Sequence, residues 1–147
     1  MGESLNLFEY ITDYLGTKSD EAGLYSPLTL AYIGDGIYEI IIRTFVLTKS
    51  GNEQVNKLHK KSSSLVKAET QAKLIHILMD RLTEEEEKIY KRGRNAKSYT
   101  SAKNASITDY RTATGFEALC GYLYIKGDMD RLLYLIKSGI EELDLSN

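Results

Sequence analysis

The sequence predicts an all-α domain. Three observations carry that expectation. Apolar residues return at three- and four-residue spacing through most of the chain, no stretch alternates apolar and polar residues as a half-buried strand would, and capping residues mark where helices begin and end. The 147 residues suit a single domain, 1–147, and 42% hydrophobic content is enough to build its core.

Taken in order, the elements follow from local chemistry. Residues 1–25 receive no assignment. Ser26-Pro27 places an N-cap hydroxyl before a proline at the first helical position and predicts a helix over 27–48, stopped by Lys49-Ser50-Gly51. Asn52 is expected to cap a short helix that holds Val55 and Leu58 and ends near residues 60–62. Leu65, Ala68, Ala72, Ile75, Leu78 and Leu82 predict one long amphipathic helix. Thr83 and Glu86 have capping-box spacing, and Glu84, Glu85, Glu86 and Glu87 fall in a first turn where the helix dipole favours acids. Gly93 is expected to close that helix, and residues 94–106 read as a polar loop. Tyr110, Phe116, Leu119, Leu123 and Ile125 mark the next helix, and Gly127-Asp128 turns the chain into a last one carrying Leu132, Leu135, Ile136, Ile140 and Leu143.

Several function classes are excluded. Cys120, the lone cysteine, permits no intrachain disulfide and suits a reducing, cytoplasmic setting; its apolar neighbours would raise its pKa and disfavour thiol catalysis. Met1-Gly2-Glu3-Ser4 lacks a secretory signal's basic start, so the mature protein is expected to be the whole chain. Residues 28–47 have transmembrane length, but Asp35, Glu39 and Arg43 lie within them. Each would cost ~2.5 to 3.5 kcal/mol at a bilayer centre, which leaves a buried helix and no membrane partner.

A net charge of −2 hides a segregation: residues 43–111 hold fifteen Lys and Arg against eight Asp and Glu, and the remainder holds four against thirteen. Lys88, Lys91, Arg92, Arg94, Lys97 and Lys103 follow one another with no acid between them. Scattered lysines are ordinarily a solvated face, but the run from Arg92 to Ser98 is denser than that.

Asp35, flanked by Gly34 and Gly36, and Glu117 are carboxylates set in apolar helical stretches, where burial is expensive and packing offers no reason for them. The two glycines together cost ~2 kcal/mol of helix propensity, which is intelligible if another backbone approaches at Asp35. Gly115, Ala118 and Gly121 supply matching small residues, so the two helices are expected to cross with Asp35 beside Glu117. Asp35, Glu39 and Arg43 form one polar stripe at i, i+4 and i+8; the plain alternative is a surface ion pair worth ~0.5 kcal/mol. Adjacent carboxylates without cysteine or paired histidines suit a hard divalent cation such as Mg²⁺, which can polarise a phosphoryl oxygen and activate water. His59 and His76 lack partners at ligand spacing and read as structural. The glutamate run could serve a helical nucleotide hydrolase, but the capping box explains it more simply.

These residues carry a resemblance. Leu30-Ala31-Tyr32-Ile33-Gly34-Asp35-Gly36-Ile37-Tyr38-Glu39 resembles the signature helix of ribonuclease III, and Thr114-Gly115-Phe116-Glu117-Ala118-Leu119-Cys120-Gly121 resembles that family's second motif. Leu58-His59-Lys60-Lys61-Ser62-Ser63, Lys91-Arg92-Gly93-Arg94-Asn95-Ala96-Lys97-Ser98 and Tyr110-Arg111-Thr112-Ala113-Thr114 are similar to segments of one branch, Mini-ribonuclease III, made of the catalytic domain alone. The resemblance spans about residues 28–129. It implies a ribonuclease III-type helical endonuclease domain that dimerises and cuts both strands of double-stranded RNA with Mg²⁺, in the maturation of large-subunit (23S) ribosomal RNA precursor, without a separate double-stranded-RNA-binding domain.

Two of the family's four carboxylate positions fall on Ala31 and Thr114, so the implied catalytic and metal-holding pair is Asp35 and Glu117. Glu39 is expected to orient Arg43 or a water of the cation. A reader of double-stranded RNA needs cations for phosphates and small polar groups for 2′-hydroxyls, a mixture offered by Arg92, Arg94, Asn95, Lys97 and Ser98, with Lys60 and Lys61 as a second contact. Only Tyr99 in that segment could stack on a base, which disfavours single strands. The expected partners are double-stranded RNA and a second copy of the chain, with a large-subunit ribosomal protein as a further candidate. A catalytically silent RNA-binding or ribosome-assembly factor on the same fold is the alternative.

Overall fold

The computed structural model describes residues 6–97 and 106–146, and among these every regular element is a helix. The elements are α1 (Leu7–Leu15), α2 (Pro27–Ser50), α3 (Val55–Val66), α4 (Ala68–Leu78), α5 (Glu84–Asn95), α6 (Ile107–Lys126) and α7 (Met129–Ser146), with single 3₁₀ turns at Ala22–Leu24 and Met79–Arg81.

α6 is the axis of the fold, and α2, α4 and α5 pack around it. The Ser106 hydroxyl accepts the Asp109 N–H at its start, and Gly127, at φ 86°, ends it by donating to the carbonyls of Leu123 and Tyr124. Between them the helix is buried on nearly every side, from Thr112 to Tyr124, with Glu117 only half-buried. Such a helix shows no polar face, and its neighbours must supply the solvent boundary. α2 presents Leu30, Ala31, Gly34, Ile37, Tyr38, Ile42 and Val46 to the core, one helical face, so it is amphipathic rather than wholly buried. Tyr38 meets Phe116 edge to face at 5.4 Å between ring centres.

The predicted starts at Ser26-Pro27 and at Thr83 hold: Ser26 accepts the Thr29 N–H, and both halves of the Thr83/Glu86 capping box form. Glu86 also takes a forked contact from Arg131, both bonds 2.8 Å, which ties α5 to α7. Gly127 turns the chain as expected.

Four expectations are corrected. α1 lies within the unassigned stretch: Asn6 caps it by accepting the Glu9 N–H, and Phe8 stacks edge-on against Tyr124 at 5.3 Å. The short helix is not capped by Asn52; Gln54 occupies the cap position without a side-chain bond, and the helix continues to Val66. The long helix expected through Leu65 to Leu82 breaks at Lys67, whose extended backbone ends α3 and starts α4. The break is possible because each of the last four α3 carbonyls has a donor. Lys67 N–H serves Ser63, the Thr70 hydroxyl serves Ser64, the Tyr38 hydroxyl serves Leu65 and the Gln71 amide serves Val66. Finally, Gly93 does not close α5, which runs to Asn95; Gly93 is the contact point of α5 with α6.

Candidate functional site

The site begins at a backbone contact. A Cβ on Gly34 would lie 1.7 Å from the carbonyl oxygen of Glu117 and 2.8 Å from the Gly121 nitrogen, and a Cβ on Gly121 would lie 2.0 Å from the Leu30 carbonyl oxygen. α2 and α6 therefore touch main chain to main chain, which only glycine at both places allows. That contact brings Asp35 to Glu117, close enough for the Asp35 charge to act on the Glu117 carboxyl. The rest of the small-residue argument needs correction. Gly36 faces open space, and Gly115 packs on Tyr90 of α5, as Ala118 does on Gly93.

The electrostatics differ from a pair of buried acids. Asp35 is exposed, so the burial cost expected for it falls away and rests on Glu117. Burial, and then the Asp35 carboxylate, push the Glu117 pKa up to about 8. The Gln71 amide opposes them by donating to Glu117 Oε2 at 3.2 Å. The same Nε2 donates to the Val66 carbonyl at 2.7 Å. Gln71 is 2% exposed, and its Oε1 is buried without a partner among the described residues. Nothing in the sequence reading pointed to Gln71; its one signal is an amide on the apolar face of a helix.

A divalent cation fits this pair, because two carboxylates that resist joint ionisation are relieved by a bridging positive charge. Among the described residues no three His, Cys, Asp or Glu gather as a ligand set, so of these side-chain types Asp35 and Glu117 would be the donors and water would complete the shell. Mg²⁺ commonly accepts that arrangement. The two substituted carboxylate positions add nothing: Ala31 is buried, and buried Thr114 donates its hydroxyl to the Tyr110 carbonyl.

The remaining predicted residues spread around this pair. Glu39 and Arg43 form an exposed ion pair at 3.8 Å. Gly93 seats α5 on Gly115 and Ala118, so the basic end of α5 lies against the stretch of α6 that carries Glu117. There Arg92, Asn95 and Lys97 are exposed, while Arg94 is half-buried over the Tyr90 ring and donates to Asn95. Ser98 lies outside the described residues, as does Tyr99. Lys60 is exposed, but Lys61 is engaged with Glu53 at 2.5 Å and Ser50 at 2.9 Å. His59 and His76 are both exposed, so neither is a core histidine. The glutamate run is structural here. Glu85 pairs with Lys126, Glu86 with Arg131 and Glu87 with Lys91. Cys120 is buried and its thiol pKa is pushed well up, as expected.

Comparison with known proteins places the chain. A ribonuclease III domain model matches residues 28–128. The Mini-ribonuclease 3 of Clostridium tetani is 55% identical over 121 residues, covering 82% of this chain and 80% of that protein. The Mini-ribonuclease 3 of Enterococcus faecalis is 49% identical over 122 residues, covering 82% of this chain and 92% of its own. The crystal structure of a Fusobacterium nucleatum protein superposes with a TM-score of 0.74 at 28% identity, over 84% of this chain and 98% of that one.

Proposed function

Since the chain belongs to the ribonuclease III family of endoribonucleases, we propose that it hydrolyses phosphodiester bonds in double-stranded RNA, with Mg²⁺ held by Asp35 and Glu117. The observation that carries the reading is the glycine contact that sets an exposed carboxylate against a half-buried one. When bound, Mg²⁺ supplies a Lewis acid for the phosphoryl oxygen and an activated water. The protein's own part is positional. Gly34 and Gly121 fix the helix crossing, Asp35 offers its carboxylate from the solvent side, and Glu117 offers the other from a site where charge is poorly hydrated. Poor hydration strengthens the attraction of Glu117 for a cation relative to an exposed acid.

The duplex is gripped by this domain's own residues. Arg92, Arg94, Asn95 and Lys97 meet phosphates and 2′-hydroxyls, joined by Ser98 beyond the described residues; Lys60 adds a second contact, and Lys61 joins it by exchanging Glu53 for a phosphate. The Glu39–Arg43 pair lies further along the exposed side of α2, and Arg43 orients Glu39 toward the cation's water shell.

Cutting both strands in one encounter requires two carboxylate pairs related by a twofold axis, and a homodimer supplies them. An apolar groove of about 700 Å³ lined by Ile37, Ile40, Ile41, Phe45, Leu133 and Ile136 supports that assembly. Ile40 is 54% and Leu133 44% exposed in the isolated chain, whereas the neighbouring Ile42 is in the core. The substrate in this reading is 23S ribosomal RNA precursor in the cytoplasm, where a large-subunit ribosomal protein could present it. Among the described residues no helix is long and apolar enough to cross a membrane.

Cleavage of a duplex RNA by the purified protein, with and without Mg²⁺, tests the reading. Asp35→Asn and Glu117→Gln should each abolish turnover while RNA binding and the helical circular dichroism signal persist. Binding without cutting by the unaltered protein would select the silent RNA-binding or assembly factor instead.

A further inference from the structure

From the amide that joins the α3–α4 break to the site, we infer that Gln71 is a positioning residue for cation binding: it holds the Glu117 carboxylate in the orientation that receives the metal. The inference rests on the reading of Asp35 and Glu117 as the cation's protein ligands.

The geometry separates this role from ordinary packing. Gln71 Nε2 spends its two hydrogens on the Val66 carbonyl at 2.7 Å and on Glu117 Oε2 at 3.2 Å. Both acceptors are oxygens, so the amide orientation is fixed by its surroundings rather than chosen. The bond to Glu117 spans 46 residues of sequence, and it comes from a side chain that is itself only 2% exposed. If Gln71 only closed the end of α3, its neighbour Thr70 would be the equivalent case: its hydroxyl bonds the Ser64 carbonyl at 2.6 Å. Gln71 differs by reaching on to the acid and by leaving Oε1 buried and, among the described residues, unpartnered. A buried polar group with an unmet bond is unfavourable in a core and calls for a reason beyond packing. Outer hydrogen-bond partners of metal-binding carboxylates characteristically fix the ligand's orientation, and their loss weakens affinity roughly ten- to a hundredfold.

The test is direct Mn²⁺ binding in the absence of RNA, followed by electron paramagnetic resonance of the free ion, on the full chain and four variants, one of them Glu117→Gln. Gln71→Met removes the donor at similar length. Gln71→Asn keeps an amide but falls a methylene short of spanning both acceptors, and stands in if the methionine variant does not fold. Thr70→Val removes the comparable bond at the same helix end without touching Glu117. Thermal melting should fall for the Gln71 and Thr70 variants alike. The Mn²⁺ dissociation constant should rise roughly tenfold or more for the Gln71 variants and stay within twofold of the parent for Thr70→Val. Equal Mn²⁺ affinity in a folded Gln71 variant and the parent would overturn the inference and leave the Asp35–Glu117 reading standing. So would an equal loss in Thr70→Val, since the effect would then come from the helix break. Absence of Mn²⁺ binding in the parent, or unchanged binding in Glu117→Gln, would overturn both.

Discussion

Gly34 and Gly36 flank Asp35 on the same helix and should respond to alanine in opposite directions. At Gly34 the new Cβ would sit 1.7 Å from the Glu117 carbonyl oxygen and 2.7 Å from its carbon, where ordinary contact begins at 3.4 Å. Neither is the far end of a flexible side chain, so relief requires α2 and α6 to part by up to about 1.7 Å, the difference between those distances. Overpacking of this kind costs about 3 kcal/mol, the upper end of its usual range. A chain of this size loses roughly 2 to 4 °C of melting temperature per kcal/mol, so Gly34→Ala should melt roughly 6 to 12 °C lower. The same separation moves Glu117 away from Asp35, and a displacement of ~1 Å can cost ~100-fold in rate. At Gly36 nothing lies within 4 Å. Alanine there recovers up to ~1 kcal/mol of helix propensity, raising the melting temperature by roughly 2 to 4 °C with cleavage intact. Thermal melting and single-turnover cleavage of a short duplex report both. Gly34→Ala that melts and cuts like the parent would refute the backbone crossing as the device that assembles the site.

Three further outcomes are expected. The Glu117 carboxyl, at about 8 in the fold against its ordinary 4.5, binds more protons folded than unfolded across that window. Stability of the cation-free protein is therefore fullest below pH 4.5 with respect to this group and falls as pH rises toward 8; melts against pH should show a shallower decline in Glu117→Gln. Lys97→Ala should weaken duplex binding and flatten its salt dependence without moving the melting temperature, because Lys97 is exposed. Arg94→Ala should do the same at a stability cost of ~0.5 to 1 kcal/mol from the lost contact with Tyr90, and an unchanged salt slope in both would remove α5 from the interface. Ile40→Asp should leave a folded monomer by sedimentation equilibrium that nicks single strands, and a dimer that still cuts both strands would take that face out of the assembly.

What was readable in the sequence depended on the range of the physics. Caps and turns are local: Ser26-Pro27, the Thr83/Glu86 box and Gly127 are settled by their own neighbours, and the structure has each of them. The Asp35–Glu117 pairing was legible because two motifs carried small residues beside acids, although only Gly34 and Gly121 act as that argument supposed. The break at Lys67 was hidden because apolar spacing continues across it, and what permits it is a set of side-chain bonds from Thr70, Gln71 and the distant Tyr38 that apolar periodicity does not register. Gly93 misled for the converse reason. A glycine near a helix end resembles a stop, yet this one admits the α6 backbone, its Cβ position lying 2.9 Å from the Gly115 Cα.

Asp35 and Glu117 stand together at this helix crossing. Ala31 and Thr114 occupy the other two acidic positions of the family pattern, and both are buried, at 7% and 9% exposure. An acid at Thr114 would stand one turn before Glu117 on the same helix, where burial and Asp35 already hold that carboxyl at about 8. A third negative charge would raise it further and favour the protonated form that binds cations poorly. The threonine hydroxyl instead turns back to the Tyr110 carbonyl, and the alanine methyl fills the core. Among the described residues the Gln71 amide opposes that rise, lowering the Glu117 pKa where Asp35 raises it. On the proposed reading of the site, the smaller acidic set and the buried amide are parts of one electrostatic solution: fewer ligands, with the amide opposing the rise in the Glu117 pKa and orienting its carboxylate.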